Sequence, residues 1–282
     1  MRALAILGPN ATERDVAPFR LAGVELAIRD HAAPADAALV FGGDGTVHRH
    51  LAKLRQTQTP LLVAPAGSGN DFARALGLGT PALALAAWKR FAAGGGNVRA
   101  IDLGVIAAAG AEPCYFCCVA GAGLDADANR RANALPRWLR SHGGYLLAAA
   151  FSLLAYRRFH ARLRAESAQG EVLLDFAEAA ALVAMANAPS YGGGLRIAPA
   201  ARLDDGKLEL VLLRASNRFL LPWKARKLRT GEHIGLPEVE YARFARLTLE
   251  CDPARDVYAD GEFVGRTPIT VSVAPGALRV IA

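Results

Sequence analysis

Phe41-Gly42-Gly43-Asp44-Gly45-Thr46, followed further along by Pro65-Ala66-Gly67-Ser68-Gly69-Asn70-Asp71-Phe72-Ala73-Arg74, decides how this chain is read. The apolar run Ala37-Ala38-Leu39-Val40 leads into the first stretch and reads as a buried strand. Three glycines and one carboxylate leave that strand at once. Glycine admits positive φ and lets a ligand approach the backbone closely. The exposed amides of such a turn form a nest for phosphate, and a carboxylate beside bound phosphates can hold a bridging magnesium ion. Leu61-Leu62-Val63-Ala64 repeats the design: an apolar strand, Gly67-Ser68-Gly69, then Asn70-Asp71 and a helix. A single turn of this kind is most often only a tight turn. Two in succession, each with its own acid, describe a phosphoanhydride site at neighbouring strand ends of an open α/β sheet.

Working outward, the 282 residues allow two modest domains or one large one, and 52% hydrophobic with 21% charged residues marks a folded chain. The net charge of +7 suits nucleotides, nucleic acid or an anionic membrane face without choosing among them. Basic residues are scattered except at 130–140, 157–164 and 224–229, and no RNA-recognition or zinc-finger pattern occurs, so nucleic acid is not an expected partner. The four cysteines include Cys114-Tyr115-Phe116-Cys117-Cys118, which lacks a second pair and reads as small apolar core thiols of a reducing, cytoplasmic setting. The histidines show no metal-ligand spacing, and no nucleophile elbow is present. No secretory leader is evident, and the longest apolar stretch, 145–156, is too short to span a bilayer.

The first third alternates strand and helix signals. Strands are expected at 4–7, 24–28, 38–41 and 61–64, with helices opening at Thr12 (a candidate N-cap) and running over 47–55, from Asp71 and over 81–92. That alternation implies parallel strands with helical crossovers. The connection 29–38 is short for a crossover and contains Pro34, so its helix is expected to be absent or reduced. The remainder is strand-rich, at 100–107, 115–120, 171–176, 180–186, 208–214, 245–251, 256–259 and 269–273, which suggests an antiparallel second domain. The boundary is set near Gly104, giving a nucleotide-binding α/β domain at 1–104 and a β-rich substrate domain at 105–282. A helical interruption is expected over 135–164, with Trp138, Tyr145, Phe151 and Tyr156 flanked by arginines. It reads first as a core-facing helix and second as a membrane contact.

The paired turns resemble the diacylglycerol kinase catalytic-domain family, in its bacterial lipid kinase branch, and three more segments match in the family's order. They are Met185-Ala186-Asn187-Ala188 running into Tyr191-Gly192-Gly193-Gly194-Leu195, then Leu203-Asp204-Asp205-Gly206-Lys207, then Asp260-Gly261-Glu262. The resemblance implies an NAD kinase-like α/β domain followed by a β-rich antiparallel domain whose last strand returns to the first. It also implies ATP-dependent, magnesium-dependent phosphorylation of diacylglycerol or a related lipid alcohol, at the inner face of the membrane.

Carried over residue by residue, it implies a phosphate cradle of Gly42, Gly43, Gly45 and Thr46, with Gly67, Ser68 and Gly69 as the second wall and Asn70 supporting it. Asp44 and Asp71 would organise the catalytic magnesium, and Asp102 would join the acidic network near the nucleotide. Glu262 would be the general base. A structural magnesium would take the Asp205 carboxylate with the carbonyls of Arg202 and Lys207. From the residues alone, Asp71 reads equally as a helix cap, Asp205 as a turn, and Asp260-Gly261 as a hairpin with Glu262 solvated. Asn10 and Thr12 stand in an altered N-terminal loop, where capping is the safer role. The rivals are an NAD kinase and a non-catalytic nucleotide- or lipid-binding protein. The acceptor and the oligomeric state, a homodimer included, are not readable.

Overall fold

A computed structural model describes residues 1–22, 25–28, 35–136, 148, 151–153, 155–215, 217 and 221–282. The short crossover at 29–34 and the aromatic segment at 137–147 lie outside the described residues.

The N-terminal half is an α/β domain. Strands β1 (Arg2–Leu7), β2 (Glu25–Ile28), β3 (Ala37–Gly42) and β4 (Leu61–Pro65) pair in parallel in the order β2-β1-β3-β4. Strands β3 and β4 are buried along their whole length, as their unbroken apolar runs require of a sheet covered on both faces. Around them lie helices α1 (Glu13–Leu21), α2 (Asp44–His48), α3 (Leu51–Thr57), α4 (Asp71–Ala75) and α5 (Pro81–Ala92). Phe19 and Phe41 meet edge to face at 5.1 Å, and Trp88 and Phe72 are buried in the same core. The expected single helix over 47–55 is two. The turn at Gly43 already starts α2, and the His50 ring nitrogen takes the Thr46 carbonyl at 2.9 Å, where a continuous helix would place the His50 N–H. That N–H goes instead to Val47 O, and α3 starts afresh.

The C-terminal half is antiparallel and β-sandwich-like. It contains β5 (Val98–Ala108), β6 (Cys114–Phe116), β7 (Val119–Gly123), β8 (Phe159–Glu166), β9 (Val172–Ala186), β10 (Leu208–Arg214), β11 (Val239–Phe244), β12 (Arg246–Asp252), β13 (Asp256–Ala259), β14 (Glu262–Arg266) and β15 (Ile269–Ile281). Helices α6 (Leu124–Ala134) and α7 (Leu221–Arg226) complete it. Strand β15 runs antiparallel to β5 and to β12, and its end lies parallel to β4 at Val280 and Leu61, so one sheet network joins both halves.

Three expectations are corrected. Residues 159–164 are not helical: Phe159, Ala161, Leu163 and Ala165 alternate inward along β8, a period of two. The two strands expected between 171 and 186 are one, β9, long enough to pair with β7, β8 and β10. Strand β11 was not expected; its alternation is weak because most of it is only half-buried.

Gly104 on β5 faces Phe116 on β6, and a Cβ on it would lie 2.0 Å from the buried phenyl ring. Gly104→Ala should therefore destabilise the fold by about 1–3 kcal/mol, read as a lower urea midpoint with an unchanged slope.

Candidate active site

The two glycine turns pack backbone against backbone. A Cβ on Gly67 would lie 2.5 Å from Gly43 Cα, and one on Gly42 would lie 2.7 Å from Thr46 Oγ1, so neither position accepts a side chain. Beside them opens a cleft of about 500 Å³. Gly42, Gly43, Gly45, Thr46, Gly67, Ser68 and Gly69 line one wall with Asn10. Asp125, Asn129 and Asn133 of α6 line the other with Tyr191–Gly193, Asp260 and Gly261. Asn70, in the left-handed region at φ 56°, accepts from Gly67 N–H at 2.9 Å and donates to Gly67 O at 2.7 Å. It shapes the second turn from inside. Asn10 borders the cleft, whereas Thr12 caps α1, with its N–H on the Asp15 carboxylate at 2.7 Å.

Asp44 and Asp71 meet in this cleft but are bonded differently. Asp44 accepts the N–H groups of Asp71 (3.1 Å) and Phe72 (2.9 Å), the free amides at the start of α4. Burial raises its carboxyl to about 6, the neighbouring Asp71 charge adds to the rise, and the Phe72 and Asp71 amides work against it. Asp71 accepts from Ser190 Oγ (2.9 Å), Gly193 N–H (2.7 Å), Gly194 N–H (3.0 Å) and Arg74 Nη2 (2.7 Å). Its carboxylate holds the 190–194 loop over the cleft.

Asp102 stands apart from the cleft. It is buried in β5, accepting Gly206 N–H at 2.6 Å and Gly276 N–H at 2.8 Å, while its carbonyl accepts from Asn187 Nδ2 at 2.9 Å. It ties the 203–207 turn and the bend of β15 to β5.

The Asp260-Gly261-Glu262 hairpin closes the far side. Asp260, at φ 49°, has a fully buried carboxylate that accepts the N–H groups of Cys117 (2.9 Å), Cys118 (2.8 Å) and Val119 (3.2 Å). His48 on α2 adds its Nδ1 at 3.2 Å, and Cys114 Sγ lies 3.9 Å from His48 Nε2. Burial disfavours the charged imidazole, but the Asp260 bond and the Cys114 sulfur outweigh it and hold His48 at about 10. Glu262 is 44% exposed, with Arg49 Nη1 at 3.8 Å. Its Oε1 would lie 3.2 Å from a Cβ on Gly45, so the carboxylate stands over the first turn of α2.

Comparison with known proteins agrees with this geometry. Residues 7–106 match the diacylglycerol kinase catalytic domain, and residues 118–282 match the YegS C-terminal NAD kinase beta sandwich-like domain. A diacylglycerol kinase of Mycobacterium tuberculosis is 36% identical over 246 residues, covering 87% of this chain and 76% of that one. The chain belongs to the diacylglycerol kinase catalytic-domain family. A diacylglycerol kinase from Bacillus anthracis shares its fold, with a TM-score of 0.69 at 18% identity over 99% of this chain and 96% of that one. An NAD kinase from Archaeoglobus fulgidus in complex with ATP shares the fold more loosely, with a TM-score of 0.54 at 15% identity over 100% of this chain and 94% of that one.

In this member of the diacylglycerol kinase family, the Asp205 carboxylate, the expected side-chain ligand of a structural magnesium, is taken by the Arg243 guanidinium and by Lys207 N–H at 3.1 Å, and Arg243 also bonds Glu209 at 3.0 Å. Cys117 and Cys118 are buried free thiols beside Asp260. Burial pushes Cys117 up to about 12 although the Cys118 bond lowers it, and the Cys117 bond together with burial holds Cys118 well above its ordinary value, so neither is a reactive thiolate.

Sequence reasoning missed His48, Arg49, Ser190 and the α6 residues Asp125 and Asn129. Only α6 left a trace, the Gly121-Ala122-Gly123 turn running into Leu124-Asp125-Ala126-Asp127, a third strand–glycine–acid–helix passage.

The raised His48 value fixes a sign. Stability from the His48–Asp260 pair is present in full below pH about 6.5 and is lost as pH rises through about 10. An NMR titration of the imidazole should find a midpoint near 10 in the native protein. Asp260→Asn should bring it well below 10, because burial is then opposed only by the Cys114 sulfur.

Proposed function

We propose that this protein is an ATP-dependent lipid kinase that transfers the γ-phosphoryl group to the hydroxyl of diacylglycerol or a related lipid alcohol. The observation that carries the reading is the placement of Glu262 over the glycine turn that starts α2, beside Arg49 and Gly261, which line the cleft. A phosphate in the cradle and a hydroxyl at Glu262 would meet at the edge of that cleft. Family membership, and a relative named as a diacylglycerol kinase, support the lipid acceptor. The ATP complex of the NAD kinase of shared fold supports ATP as donor.

Phosphoryl transfer needs positioned phosphates, charge neutralisation and a group that takes the nucleophile's proton. Gly43 and Gly45 at the start of α2 line the cleft, and their amides would hold phosphate oxygens, whereas the Thr46 N–H is on Gly43 O at 2.9 Å. Magnesium fits Asp44, a buried carboxylate lining the cleft whose charge two amides leave under-compensated, as the rise to about 6 shows. Bound there, the ion would neutralise charge on the transferring phosphoryl group. Asp71, with its bonds engaged, would act by fixing the 190–194 loop. Glu262, exposed to the cleft mouth, would take the proton from the lipid hydroxyl. Transient peripheral contact with the inner face of a membrane follows from such an acceptor. Among the described residues no helix is long and apolar enough to cross a membrane.

The test is transfer of labelled phosphate from ATP–magnesium to a panel of micellar lipid alcohols, with NAD in parallel. Glu262→Gln should lower kcat by roughly 10²–10⁴-fold while nucleotide binding persists; Asp44→Asn should abolish transfer. Labelled NADP in place of labelled lipid would make the protein an NAD kinase, and ATP binding without any product would make it a binding protein on this scaffold. The pH profile is a further prediction. Asp44 must be ionised to hold a cation, so kcat/KM should fall as pH drops through about 6. A flat profile down to pH 5 would remove Asp44 from that role.

A further inference from the structure

A second cavity, of about 320 Å³, lies between the face of β9, β10 and β11 and a cover that includes α7. Leu182, Val211 and Leu213 of the sheet face Leu221, Ala225 and Leu228 of the cover. Two residues, Asp125 and Tyr191, line both this cavity and the phosphate cleft, so the two volumes adjoin. The catalytic groups described above make no use of it.

The outer surface of the cover has a composition of its own. Residues 221–231 hold four cations, Lys224, Arg226, Lys227 and Arg229, and no acid. Lys224 is buried and bonds Glu238 at 2.8 Å. Among the described residues, Arg226, Lys227 and Arg229 have no ion-pair partner, and Arg226 and Arg229 are exposed. Between them stands Trp223, 57% exposed, with the Lys227 ammonium over its ring at 5.0 Å. Phe151, next to the cavity-lining Ser152 and Leu153, is 61% exposed.

An exposed tryptophan costs solvation that a soluble surface does not return, and its amphipathic ring is suited to the headgroup level of a bilayer. Unpaired cations around it are drawn to anionic lipids, more strongly at low salt. Arg226 and Arg229 also line the apolar cavity that adjoins the phosphate cleft, and Trp223 stands beside the cavity-lining Pro222 and Lys224.

We propose that the α7 face, with Trp223 as anchor and Arg226, Lys227 and Arg229 around it, docks on an anionic lipid bilayer and sets the apolar cavity against the membrane. The choice of a bilayer as partner rests on the lipid kinase reading. In the docked state an acyl chain leaving the bilayer enters the cavity, and its polar end is directed past Asp125 and Tyr191 toward the cleft.

The experiment is co-sedimentation of the full chain, without ATP, with vesicles of phosphatidylcholine alone or mixed with phosphatidylglycerol. Native protein should sediment with the mixed vesicles and not the neutral ones, and binding should fall as salt rises. Trp223→Ala, and Arg226→Glu with Arg229→Glu, should each weaken binding about tenfold or more, with circular dichroism unchanged. Arg14→Glu with Lys53→Glu, on exposed positions of α1 and α3, should bind as the native protein does.

Equal binding to neutral vesicles, equal loss in the Arg14/Lys53 control, or no binding of native protein overturns the proposal. So does a native dimer in sedimentation velocity that Trp223→Ala dissociates, which would give the face to a second copy of the chain. Activity on a dispersed short-chain lipid alcohol separates the two readings. Phosphorylation there without vesicle binding sinks the docking surface alone, and vesicle binding without phosphorylation of any lipid sinks the kinase alone.

Discussion

A buried carboxylate needs hydrogen-bond donors or it will not stay charged, and this structure meets that constraint with backbone amides drawn from distant loops. Asp44, the first residue of α2, holds the amides that open α4. Asp71, the first residue of α4, holds Gly193 and Gly194. Asp102 holds Gly206 and Gly276, and Asp260 holds three successive amides at 117–119. Each bond ties a buried or half-buried acid to the backbone of a distant loop. Removing the acid would orphan the amides, and displacing the loop would orphan the acid. Asp44, Asp71 and the 190–194 loop are therefore geared together, from the first glycine turn through the second to the opposite wall of the cleft.

The same device sets the distance between the first glycine turn and Glu262. Glu262 follows Asp260 by two residues, and Asp260 is fixed on one side by β7 and on the other by His48. His48 belongs to α2, the helix that starts at the first glycine turn. That turn and Glu262 are thus connected through one short helix and one ion pair rather than through the wider sheet. A small rotation of one half against the other would have to break a charge-assisted bond inside a mostly buried site, where such bonds are strong. Gly45 leaves the space over α2 that Glu262 occupies.

The fold class was legible because two signals survive any context: unbroken apolar runs for the parallel strands, and glycine-acid turns at their ends. Unbroken runs cannot be solvent-facing strands, so β3 and β4 had to be covered on both sides. The misses have physical causes. Strand β8 was absorbed into a helix because the aromatic stretch before it has no period, and the alternation from Phe159 onward is spelled partly in alanine and arginine. The long helix over 47–55 was broken by a side chain, since a histidine that bonds its own helix backbone competes with the ladder. Strand β11 is half-buried and so carries little pattern at all.

At the site, composition showed where acids stand and not what they face. Asp44, Asp71, Asp102 and Asp260 all follow or interrupt apolar runs, and each could have been ligand-facing or amide-facing. The hydrogen bonds divide them. Asp71 spends its oxygens on two amides, a hydroxyl and a guanidinium, and Asp260 on three amides and an imidazole. Asp102 is closed off among the 203–207 turn, the bend of β15 and Asn187. Asp44 is the acid that lines the cleft with only two amides against a burial that raises it to about 6. In the other three positions folding has already used the charge. At Asp44 the charge is left less compensated, and the carboxylate lines the cleft beside the two glycine turns.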